Sequence, residues 1–116
     1  MTVLVCGGRD YADYERVSDV LEAVASWSIN PMTIVQGGAR GADALAKRWA
    51  KDCGVQCIEV SADWKTHGKA AGILRNQRML EEHAIDQGVV FPGGRGTLDM
   101  LTRLFKAGVN TWVVGG

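Results

Sequence analysis

Three short stretches of the chain repeat one chemical recipe. Gly7-Gly8-Arg9-Asp10, Gly37-Gly38-Ala39-Arg40-Gly41-Ala42-Asp43 and Pro92-Gly93-Gly94-Arg95-Gly96-Thr97-Leu98-Asp99 each set down a glycine pair, an arginine within two residues, and an aspartate one to four residues further on. Paired glycines let backbone N–H groups come close to a ligand. Arginine adds charge-assisted, bidentate contacts to phosphate. Where such a loop opens a helix, the helix's first N–H groups and the positive end of its dipole act on the same spot, and Thr97 adds a hydroxyl donor. The chemistry predicted is anion capture. The plainer alternative, tight turns with solvated arginines, serves for one loop better than for three. The aspartates have their own alternatives. Asp43 and Asp99 fall near helix starts, where a carboxylate caps the first turn or answers the dipole. Asp10 lies before its helix cap, at a position suited to ribose hydroxyls or to orienting Arg9.

A fourth stretch, SADWKTHGKAAGILRNQRM at residues 61–79, has a different character. Lys65, His67, Lys69, Arg75 and Arg78 stand against a single acid, Asp63. Gly68 and Gly72 permit close approach at the start of a helix. Trp64 offers a face on which a base can stack, or packs against the body as most tryptophans do. Arg75 and Arg78 lie one helical turn apart on a shared face, and Arg78 equally suits a solvated surface. Asn76 is a poor helix former, which points to a contact. His67 reads as a solvated loop residue.

These loops need a scaffold, and the rest of the chain predicts one. Short β-branched or aromatic runs occur at Thr2–Cys6, Thr33–Val35, Gln56–Val60, Gly88–Phe91 and Thr111–Val114, as in buried parallel strands. Four helical patterns alternate with them: Val17, Val20, Leu21 and Val24 after an Asp13 cap; Ala42, Leu45, Ala46, Trp49, Ala50 and Cys53; a less regular stretch from about Lys69 to His83; and Leu98, Leu101 and Phe105 with Gly108 as the stop. The order predicts an α/β three-layer sandwich, a five-stranded parallel sheet with strand order 3-2-1-4-5 and two helices on each face. In such a sheet ligands bind beyond the carboxyl ends of the strands where the order reverses, which is where the glycine loops fall.

The 116 residues suit a single domain, 1–116. Formal net charge is zero, so charge alone draws the chain to neither nucleic acid nor membrane. The odd cysteine count, Cys6, Cys53 and Cys57, has no C-x-x-C and argues against a disulfide framework or zinc site; no metal is expected. No run approaches the roughly 20 apolar residues of a membrane span, and a soluble cytoplasmic protein is predicted. Trp27, Trp49, Trp112, Met100 and Leu104 exceed what two single helix stripes require; a dimer face or a fuller core would use them.

The motifs GGRD, GGARGAD, DWKTHGKAAGILRNQRM and FPGGRGT, in this order, resemble the SLOG superfamily, most of all its small stand-alone branch related to YpsA, found in bacteria and their phages. The resemblance runs from Val3 to about Val114. It implies a Rossmann-like fold that binds nucleotides or nucleotide-derived ligands. The superfamily includes the LOG enzymes, which release the base from nucleoside 5′-monophosphates through a PGGxGTxxE motif, its glutamate catalytic and an arginine of the preceding helix assisting. Pro92, Gly93, Gly94, Gly96 and Thr97 match that motif, but Met100 stands at the glutamate position. Asp99 is one residue earlier, about 100° around a helix, and shorter by a methylene. The arginine corresponds to Arg75 or Arg78.

Three functions are therefore weighed. The first is a binding module: loop amides and Thr97 on the phosphates, Arg9, Arg40 and Arg95 neutralising them, Trp64 or Lys69 and its neighbours on base or sugar. The second is an N-glycosidase on nucleotides, with Asp99 or Asp10 as the carboxylate its oxocarbenium-like state needs. The third, by analogy with the DprA branch, is single-stranded nucleic-acid binding, which zero net charge disfavours. No cofactor is expected beyond a nucleotide-like ligand.

Overall fold

The computed structural model describes residues 1–115. Strands β1 (Thr2–Cys6), β2 (Thr33–Gln36), β3 (Gln56–Glu59), β4 (Gln87–Val90) and β5 (Thr111–Val113) form one sheet in the order β3-β2-β1-β4-β5, every pair parallel. Helices α1 (Tyr14–Ala25), α2 (Ala42–Cys53), α3 (Trp64–His67), α4 (Ala71–Glu82) and α5 (Arg95–Lys106) connect them. The expected α/β Rossmann-like sandwich and its strand order are what the chain adopts.

Alternation along β1 divides the core. Val3 and Val5 pack with Val17, Val20, Leu21 and Val24 of α1 and with Ala46 and Trp49 of α2. Leu4 faces the opposite layer, with Met79 of α4 and Met100 and Leu104 of α5. The helices are bounded by chemistry legible in sequence. Asp13 Oδ1 accepts the Arg16 N–H at 3.0 Å and caps α1. Gly54, at φ +69°, closes α2 in the left-handed conformation.

Two expectations need correction. The helix expected from about Lys69 begins at Ala71, and a separate turn, α3, precedes it. Asp63 starts that turn by accepting the Thr66 N–H at 3.1 Å, and Gly68 leaves helical space at φ +54°. Trp49, Met100 and Leu104 are buried in the two core layers, so these three give the expected self-association no surface. Trp27 and Trp112 stack on each other with ring centroids 5.8 Å apart. Among the described residues no helix is long and apolar enough to cross a membrane.

Candidate functional site

The loops after β1, β2 and β4 meet above the sheet and hold one another. The Gly8 N–H donates to Pro92 O at 2.8 Å, and the Ala42 N–H donates to Gly8 O at 3.1 Å. A Cβ at Gly93 would lie 2.6 Å from Gly8 N, and one at Gly7 would lie 2.6 Å from Ala42 Cβ. Gly41, at φ +80°, would bring a Cβ to 2.2 Å from Gly8 O. Gly7, Gly8, Gly41 and Gly93 thus let loop approach loop, a role the anion-capture reading did not give them. Gly94 and Gly96 differ: a Cβ at either meets nothing within 4 Å.

Below this rim lies a cavity of about 570 Å³, within the range of roughly 300–1,000 Å³ that holds small-molecule ligands. Gly7, Gly8 and Arg9 line one side; Gly37, Ala39 and Asp43 another. Gly94, Arg95, Gly96 and Thr97 form the third, Trp64 and Lys69 the mouth, and Arg75 and Asn76 the α4 wall. The α5 end presents backbone amides without a side-chain cap. No side chain caps Gly94, and the first backbone bond of the helix is Leu98 N–H to Gly94 O at 3.0 Å, which leaves the N–H groups of residues 95–97 ahead of it. At the mouth the Arg9 guanidinium lies 5.2 Å from the centre of the half-exposed Trp64 ring.

The loop after β2 is not an anion nest. Gly37 and Ala39 donate their N–H groups to Asp43 Oδ2, both at 3.2 Å, and Gly38 donates to Gln36 Oε1 at 2.6 Å. A buried donor needs an acceptor, and this loop carries its own. Asp43 is only 5% exposed, and burial pushes its carboxyl up to about 6, against the pull of the Ala39 and Gly37 N–H groups and of Arg75. A raised carboxyl pKa means that the folded protein takes the proton more readily than the unfolded chain. The corresponding stability is full below pH about 4 and is lost as pH rises through about 6.

A polar chain joins the two ends of the cavity. Arg75 donates through one terminal nitrogen to Gly37 O and through Nε to Asn76 Oδ1 at 3.0 Å. Asn76 Nδ2 donates to Gly96 O at 3.2 Å and to Asp99 Oδ2 at 3.1 Å, and Arg103 Nε reaches the same carboxylate oxygen at 2.9 Å. Between the two candidate arginines the geometry selects Arg75. Arg78 is exposed, donates to Ser61 O and lies outside the cavity. Asp99 also lies outside the lining, held between Asn76 and Arg103, and Met100 is buried in the core. Asp10 is exposed and pairs with Arg40 at 3.4 Å; it does not orient Arg9. Arg40 and Gly38 line an adjoining cavity of about 500 Å³ that shares Arg9, Trp64 and Arg75 with the first.

Sequence reasoning singled out Gly72 but missed Val5, Cys6, Ile73 and Met79 in the lining. The signal was present: 72, 76 and 79 fall on one helical face. Burial pushes the Cys6 thiol up to about 12, so it stands in the wall as a neutral thiol and not as a nucleophile. A thiol-reagent time course is expected to show exposed Cys53 reacting first, with the part-buried Cys6 and Cys57 reacting more slowly. Among the described residues no group of three or more His, Cys, Asp or Glu side chains is placed to hold a metal ion.

Known structures share this architecture. DNA processing protein A (DprA) from Streptococcus pneumoniae superposes with a TM-score of 0.80 at 20% identity over 99% of the chain, which spans half of that structure. TM1055, a structural genomics target, superposes at 0.70 with 16% identity, covering 95% of the chain and 71% of the other. At these identities the likeness shows the fold alone. Sequence goes further. The sequence model of the YspA, cpYpsA-related SLOG family matches residues 1–67. The Gene 61 protein of Mycobacterium phage D29 is 40% identical over 114 residues, 92% of the chain and 90% of that protein. The chain belongs to the YspA, cpYpsA-related SLOG family.

Proposed function

We propose that the chain binds a nucleotide or nucleotide-derived ligand in the cavity, with its phosphate at the N-terminus of α5. The observation that carries this is the uncapped end of that helix, with Gly94 and Gly96 open at its cap and first turn, facing a cavity that also holds Arg9, Arg75 and Arg95. Dipole, amides and guanidinium groups act together on an anion there. Trp64 at the mouth supplies a face for the base.

Base release is the lesser reading. It needs a carboxylate at the anomeric carbon, and Asp99 is turned to Asn76 and Arg103 instead. Nucleic-acid binding draws no support from zero net charge.

Incubating the protein with nucleoside monophosphates, ADP-ribose and cyclic nucleotides, then following it by mass spectrometry, separates these. Ligand retained intact, without free base, supports binding. Free base that disappears in Asp99→Asn would establish an enzyme, and retention of nothing would overturn the proposal. Under binding, Asp99→Asn is expected to change affinity by no more than about threefold and to lower stability by about 1 kcal/mol, the worth of a part-buried hydrogen bond.

A further inference from the structure

Asp43 has one oxygen occupied and one not. Oδ2 accepts from Gly37 and Ala39, while Oδ1 takes no hydrogen bond among the described residues. Among the described residues Trp49 Nε1 is the fully buried side-chain polar atom left without a partner, so Asp43 Oδ1 is not sealed in, and its residue lines the cavity. Arg75 is close enough to act on this carboxylate electrostatically, yet donates to Gly37 O and Asn76. A side chain 95% buried by its 5% exposure, with one unpartnered acceptor on a ligand-sized cavity, invites a donor.

We propose that Asp43 is the ligand-reading carboxylate of this site: Oδ1 accepts a hydrogen bond from a neutral O–H or N–H donor at the unphosphorylated end of the nucleotide. The assignment rests on the nucleotide reading above and deepens it. It polarises the ligand. The α5 end takes the anion, while the Asp43 end already holds an internal negative charge and repels a second phosphate. Above pH about 6 the carboxyl is ionised and accepts only. Two donors share this chemistry, the ribose 2′-hydroxyl and the amino group of a base.

The test uses adenosine 5′-monophosphate, its 2′-deoxy form, purine riboside 5′-monophosphate, which lacks the amino group, and inorganic phosphate, by calorimetry at pH 7.5. The wild type is expected to lose about ten- to a hundredfold in affinity with one of the two trimmed nucleotides, as a charge-assisted hydrogen bond implies. Which one it is identifies the donor. Asp43→Asn keeps an oxygen for the Gly37 and Ala39 amides but can place an N–H₂ where Oδ1 was. It is expected to fold, to lose the same factor with the full nucleotide, and to bind the trimmed one as tightly as the full one. Its affinity for inorganic phosphate is expected not to fall, since the variant removes a negative charge and no phosphate contact.

A wild type that treats all three nucleotides alike overturns the assignment, whether or not the variant folds. So does an Asp43→Asn protein that keeps the wild-type discrimination. Failure of the wild type to bind any of the three overturns the nucleotide reading itself, and the assignment with it.

Discussion

Gly94→Val is expected to abolish nucleotide binding in a protein that melts within about 4 °C of the wild type. Gly94 sits at φ −101°, outside the left-handed region, and an added Cβ meets nothing within 4 Å. The fold therefore accepts the side chain. Exchanging glycine for an aliphatic residue at an N-cap costs at most about 1 kcal/mol. The methyl groups enter the space in front of the N–H groups of residues 95–97, where the proposed function places the phosphate. Blocking that contact removes both the hydrogen bonds and the dipole's reach, so an affinity loss above about a hundredfold is expected. Calorimetry and a thermal melt on the same preparation decide it. A variant that still binds places the pocket elsewhere.

Gly41→Ala is expected to act in the opposite way, through the fold. At φ +80°, ψ −129° the residue occupies backbone space that an L side chain rarely adopts. Its Cβ would also lie 2.2 Å from Gly8 O and 2.6 Å from Arg9 O, both backbone atoms of the neighbouring loop. Neither can yield without breaking the Ala42 N–H to Gly8 O bond. Conformational strain and the clash together are expected to lower stability by about 3 kcal/mol or more, a drop in Tm of roughly 10 °C for a chain of this size. Gly54→Ala separates the two causes. Gly54 has φ +69° but open space around it, so only the left-handed term of about 1–2 kcal/mol applies. Equal melting of the two variants would show that the loop contact contributes nothing.

The scaffold was legible because its signals are local or periodic. Val17, Val20, Leu21 and Val24 mark a helical face, Asp13 marks its start, and the short runs between helices leave little choice but a parallel sheet. The location of the candidate cavity, beyond the carboxyl ends of the strands, followed from the strand order. What each loop residue touches did not follow, since that depends on how the loops curl against one another. Asp43 reads as a helix-start carboxylate in sequence; only the folding back of residues 37–39 makes it the acceptor for that loop. Arg75 and Arg78 are alike in sequence, and the position of Gly37 O distinguishes them. Six glycines of similar context, Gly7, Gly8, Gly41, Gly93, Gly94 and Gly96, divide into four that touch a neighbouring loop and two that touch nothing, a difference carried by distance and invisible to composition.

The mutual hydrogen bonding of the three glycine loops also governs how such a protein can change over time. A loop whose every turn abuts its neighbour has no slack for an insertion, because lengthening one displaces the other two. New ligand preferences must then arise by point substitution, and the open positions for it are few. The stretch from Ser61 to Ile73 is the exception. It is tied to α4 by the Arg78 bond to Ser61 O and to the rim by Arg9 over Trp64, it overhangs the cavity through Trp64 and Lys69, and its side chains are largely exposed. Descendants of this chain are expected to share the three interlocked loops nearly unaltered and to differ in that overhang.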